Sequence, residues 1–184
     1  MDGAAQSRDG EGIRGFLLLF VVMQGVTFVL DLVALRTVRA AFASETWALG
    51  ALSPLYRPLV SVEAVTRVVI AFLPVVGFAL SFRRSPAAPR FWIAYLLLCV
   101  AYGALELFGT RLVAAQFSRA LLRRGESTAD VERLTTMGTL SGARTIVYGA
   151  VWAAYWMHSE RVSRTFRRRP RAGDRPATAP PPPR

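Results

Sequence analysis

Four stretches of 15 residues in this chain contain no charged side chain: Phe16–Leu30, Val68–Phe82, Phe91–Leu105 and Thr145–Ser159. At ~1.5 Å per helical residue each covers about 22 Å, short of the roughly 30 Å hydrocarbon core of a bilayer. To cross it, each must recruit another turn that carries charge. The extended spans read about 13–35, 59–82, 91–112 and 142–159. A chain of 184 residues that is 53% hydrophobic and still has 35 formally charged side chains keeps the two kinds apart in blocks. That separation marks a membrane protein. The expectation is an all-α, integral membrane four-helix bundle.

All 23 basic residues are arginine, and the formal net charge is +11. Residues 161–184 hold eight of those arginines and one aspartate, so the tail accounts for +7 and the other 160 residues for +4. An even number of spans puts both termini on one side. That side then collects 13 arginines: Arg8, Arg14, the loop residues Arg83, Arg84 and Arg90, and the tail. The opposite side has 10 over two longer loops. The positive-inside rule makes the arginine-dense side, and with it both termini, cytoplasmic in a multi-pass plasma-membrane protein. Ala41-Phe42-Ala43 has the form of a signal-cleavage site, but Asp31, Arg36 and Arg39 separate it from the apolar run, so no cleavage is expected.

Residues 1–12 are polar and Gly-rich, and 167–184 form a basic tail ending in Pro180-Pro181-Pro182-Pro183. Neither has apolar side chains enough to bury, so both are expected to be disordered, flanking a transmembrane domain at 13–166. The tail's expected partners are anionic lipid headgroups rather than nucleic acid, because a basic segment directly after a span is explained by topology and lipid attraction. Between spans, a short interfacial helix is expected around 40–51. Spans three and four should project as a helical hairpin turning near Arg124–Ser127, with Ser127 as N-cap and Asp130 in the first turn.

Enzyme motifs are missing. The chain has no Gly-x-Ser-x-Gly, His-Glu-x-x-His or phosphate-binding glycine loop, and its one cysteine, Cys99, sits in an apolar run, which excludes an intrachain disulfide and a thiolate metal site. Cofactors and metals are not expected. The informative residues are charges. Counting from each inner boundary to the first charge on the way out gives 17 residues from Arg14 to Asp31, 16 from Arg83 to Arg67, 16 from Arg90 to Glu106 and 17 from Arg161 to Arg144. All four lie about 24–26 Å out, in one layer. Glu63 is one turn above Arg67 on the same face. Asp31, Glu63, Arg67, Glu106 and Arg144 are therefore the candidate site. They read either as helix ends snorkelling to headgroups, or as an inward layer that pairs across helices or lines a pocket open to the outer face. Two further features stand out. Pro74 lies at mid-span, and Gly138-x-x-x-Gly142 and Gly149-x-x-x-Ala153 have the spacing of close helix approach within a chain or between copies.

Several of these residues carry a family resemblance. Gly12-Ile13-Arg14-Gly15-Phe16, Glu63, the loop Phe82-Arg83-Arg84-Ser85-Pro86, and the stretch from Trp152 through Tyr155, Ser159, Arg161 and Val162 to Thr165-Phe166 resemble the bacterial membrane family called domain of unknown function 2569. Its terminal pattern is similar to Trp-x-x-Tyr-x-x-x-Ser-Lys-Arg-Val-Lys-x-Thr-Phe. Here Glu160 and Ser163 replace the two lysines. The resemblance implies four transmembrane helices and brings no activity. The functional expectation is a small non-enzymatic membrane protein, structural or accessory to a protein partner or a second copy; the alternative is a small-molecule or proton-coupled binding or transport protein using the outer charged layer.

Overall fold

The computed structural model describes residues 15–166. The expectations for residues 1–12, for the Gly12-Ile13-Arg14 motif and for the tail lie outside these. The described chain runs α1 (Phe16–Ala41), α2 (Ser44–Ala48) with a 3-10 turn at Leu49–Ala51, α3 (Tyr56–Phe82), α4 (Ala88–Leu122), α5 (Ala129–His158) and α6 (Glu160–Thr165). Every described element is helical. Three helices hold segments long and apolar enough to cross a membrane: Phe16–Val33, Tyr56–Phe82 and Ala88–Leu122. The fourth long helix, α5, has 30 residues but a more polar first half, and its remainder draws its bulk from Trp and Tyr rather than Leu and Val.

The helices outlast the spans read from charge alone. α4 has 35 residues, about 52 Å, so it projects well past the hydrocarbon. It ends at the turn Arg123–Thr128, where Gly125 takes φ +71°, a conformation glycine adopts without strain. The cap differs from the expected one. Thr128 is the N-cap of α5, while the Ser127 hydroxyl accepts from the Ala129 N–H and Thr128 Oγ1 donates to Glu132 at 3.0 Å. On the same outer side, α1 continues to Ala41, which leaves only residues 44–51 for the short interfacial helix.

A spacing of alternating threes and fours sets the inward faces. Leu17, Phe20 and Gln24 on α1, Ile70, Pro74, Gly77 and Ser81 on α3, and Trp92, Tyr95, Leu96, Cys99 and Gly103 on α4 are all buried. Knobs at this spacing pack long helices nearly parallel. The opposite faces are apolar too. Val22, Val26 and Val29, then Val65, Val69, Phe72 and Val76, then Leu97 and Phe108 are exposed, the inside-out pattern of helices meant for lipid. Pro74 is enclosed within α3, which runs unbroken from Tyr56 to Phe82.

The α4/α5 seam is made of small residues. A Cβ on Gly142 would stand 2.7 Å from the carbonyl oxygen of Gly103, and one on Gly149 would stand 2.9 Å from that of Leu96. Gly138 faces Thr110, and Ala153 is buried. Both small-residue motifs thus serve packing within the chain. At the inner end large rings take over. Trp92 lies in the space left by Gly77, Phe20 meets Trp92, Trp152 and Trp156 at centroid distances of 4.9–5.3 Å, and Phe166 closes over Trp156 at 5.8 Å. The terminal pattern now has a physical meaning. Ser159 caps α6 by accepting from the Val162 N–H, and Val162, Thr165 and Phe166 are buried while Glu160, Ser163 and Arg164 face outward.

Candidate functional site

A polar column occupies the middle of the bundle. At its inner end the Trp92 indole donates to Ser81 Oγ at 2.8 Å. One turn of α4 further out, Gln24 is fully buried; its amide nitrogen donates to Tyr95 Oη at 2.8 Å and its amide oxygen accepts from the Tyr148 hydroxyl at 3.1 Å. One side chain thereby ties α1 to α4 and α5, and both phenols are satisfied in an apolar setting where an unpaired one is costly. Cys99 stands beside the Tyr95 hydroxyl, and Thr27 beside that of Tyr148. The sequence reading passed over Gln24. Its signal is positional: Leu17, Phe20, Gln24 and Asp31 share one face of α1.

Above this belt lie the charged residues. Arg67 on α3 donates to the hydroxyl of Tyr102 on α4, and Tyr102 donates on to Glu63 Oε1 at 3.4 Å. Glu63 and Glu106 are both within electrostatic reach of the Arg67 guanidinium, and Asp31 on α1 faces the same arginine. Glu106 also accepts from Ser141 on α5. All four charged side chains are partly buried. The layer thus holds one guanidinium within electrostatic reach of carboxylates on α1, α3 and α4. Glu63 and Glu106 also lie within electrostatic reach of each other, and among the described residues no group of three or more His, Cys, Asp and Glu is arranged to hold a metal.

Arg144 stands apart. It is exposed, in a stripe on α5 with Leu140, Val147 and Val151, and reaches the cluster only as an electrostatic neighbour of Glu106. The structure therefore brings together Asp31, Glu63, Arg67 and Glu106 and leaves Arg144 on the outer surface of the bundle. Tyr102, which the sequence reading did not single out, bridges Arg67 and Glu63. Further out, Ser53 donates to Gln116 at 2.5 Å, pinning the start of α3 to α4, and Arg57 lies over the Trp47 ring at 5.4 Å.

No curated protein and no solved structure matches the chain. The family model described as a protein of unknown function, DUF2569, matches residues 10–167. That interval holds all the described helices, the polar column and the capped α6, and the chain belongs to this family.

Proposed function

We propose that the protein is a small, non-enzymatic protein of a bacterial plasma membrane that crosses the bilayer four times, has both termini in the cytoplasm, and acts as a structural or accessory subunit to a partner. The fourth crossing is α5. Thr145–Ser159 is uncharged, and Leu140, Val147 and Val151 form an exposed apolar stripe like those of the other three helices. Arg83 and Arg84 in the α3/α4 loop and Arg90 in the first turn of α4 favour the cytoplasm for that end. The single observation that carries the reading is that Arg67 lies within electrostatic reach of carboxylates on three helices, an attraction that favours holding together a bundle whose helices have little hydrophobic drive to associate in lipid.

A second reading, a binding protein for a small cation or a proton-linked ligand, is favoured by the imbalance inside the cluster. Asp31, Glu63 and Glu106 supply three carboxylates against the single inward arginine. The two readings part on neutralised acids. A tie loses stability in Glu106→Gln, whereas a binding site keeps its fold and loses its ligand.

Topology is tested by cysteine labelling in intact cells, with Cys99 replaced by alanine. A cysteine at Ser127 reacts with an impermeant thiol reagent and one at Ser85 does not. Labelling at Ser85 with protection at Ser127 inverts the orientation; a third cysteine at Ser163, beyond α5, stays protected, and its labelling together with Ser127 removes the fourth crossing.

A further inference from the structure

Between α3 and α4, on the surface facing away from the polar column, lies a groove of about 600 Å³. Its walls are Leu55, Pro58 and Val62 on one side and Phe108 and Leu112 on the other, with Ala104 in its floor. The lining is aliphatic and aromatic throughout. Along α4 it spans Ala101 to Val113, about 18 Å, the length of one leaflet's hydrocarbon. Arg119 continues the same face. It stands seven residues beyond Leu112, so its backbone lies about 10 Å above it, and its exposed side chain, tilted back toward the helix N-terminus as helical side chains are, is directed toward the headgroup layer. Arg123 follows four residues later on the same side.

We infer that this groove is a site for one anionic phospholipid, with an acyl chain between α3 and α4 and the phosphate on Arg119. Lipid chains are as apolar as the groove, so burial from water supplies no selectivity inside the membrane. Shape does. A chain seated here touches two helices and a floor, gaining dispersion contacts that a flat helix face cannot offer. Charge sets the second preference, since a guanidinium at headgroup height pairs with phosphate in a bidentate way and adds attraction to a lipid of net negative charge. A helix from a second copy would put its own side chains into the groove but would leave Arg119 without a counter-charge. Assignment to the outer leaflet rests on the topology proposed above; the groove and its arginine do not.

The test is native mass spectrometry of the delipidated full chain in neutral detergent, given equal amounts of palmitoyl-oleoyl phosphatidylglycerol and phosphatidylcholine. Both lipids reach either end of a solubilised protein, so an inverted topology does not affect the result. The expected result is one phosphatidylglycerol adduct per chain, favoured over phosphatidylcholine by roughly fivefold, the value of about one arginine near a charged surface. Ala104→Phe fills the groove floor and removes the adduct; Ala101→Phe, at an exposed lining position, does the same if the first variant melts early by circular dichroism. Arg119→Gln brings phosphatidylglycerol down to the phosphatidylcholine level without abolishing either. Equal adducts of the two lipids on the unaltered chain, or full retention in both phenylalanine variants, overturns the assignment. So does a chain dimer that Ala104→Phe dissolves, which would give the groove to a second copy.

Discussion

Arg67→Met costs the bundle about 3–5 kcal/mol of stability, because it leaves partly buried carboxylates without their shared cation. Methionine keeps the apolar stem, so the loss is electrostatic and not a cavity. Glu63 and Glu106 then repel each other, Asp31 is left without the arginine, and the Tyr102 hydroxyl loses the guanidinium that it accepts from. Helicity followed during titration with a denaturing detergent reads the loss. Adding Glu63→Gln or Glu106→Gln to Arg67→Met recovers part of it, since a neutral amide needs no counter-charge. Arg144→Ala, at an exposed position, changes stability by about 0.5 kcal/mol or less.

The second large effect is steric. Gly142→Leu forces α4 and α5 apart, because even its Cβ would lie 2.7 Å from the Gly103 carbonyl oxygen and 3.0 Å from the Leu107 Cβ. Neither neighbour is a flexible side-chain tip, so relief requires a backbone shift. Overpacking of this kind costs about 1–3 kcal/mol and more where two helices must separate. The smaller change Gly103→Ala meets the Gly142 carbonyl oxygen at 2.8 Å and opens the same seam. Costs at the two glycines are less than additive, since the first substitution already removes the close approach. Gly25→Ala is the control. A Cβ there has nothing within 4 Å, so the change is neutral or gains up to about 1 kcal/mol of helix propensity, read in the same titration.

Depth was legible in the sequence, and azimuth was not. Counting residues from the inner arginines placed Asp31, Arg67 and Glu106 in one layer, because helical rise is fixed at every position. The count says nothing of which way a side chain points. Arg144 shares the layer's depth but falls in the exposed stripe of Leu140, Val147 and Val151, a relation visible only as spacing along α5. Gln24 was missed for a related reason. An uncharged amide does not interrupt a hydropathic run, although its place on the Leu17 and Phe20 face marks it as the polar centre of a core. The helix α6 was hidden by composition: Glu160, Arg161 and Arg164 read as the start of a solvated tail, while burial of Val162, Thr165 and Phe166 depends on the aromatic cluster above them. Outer boundaries moved outward because nothing in the loops breaks the helices: α1 continues ten residues past Asp31, and α4 continues to Leu122.

The most direct test of the charged centre is a double-mutant cycle between Arg67 and Glu106, which lie on different helices, using Arg67→Met, Glu106→Gln and the double variant. If one arginine holds carboxylates across the α3/α4 boundary, the two changes are coupled by about 1–3 kcal/mol, and the double variant is more stable than the sum of the single losses predicts. Losses that add to within about 0.5 kcal/mol would mean that Arg67 and Glu106 act independently, and the tie at the outer end of the bundle would not exist.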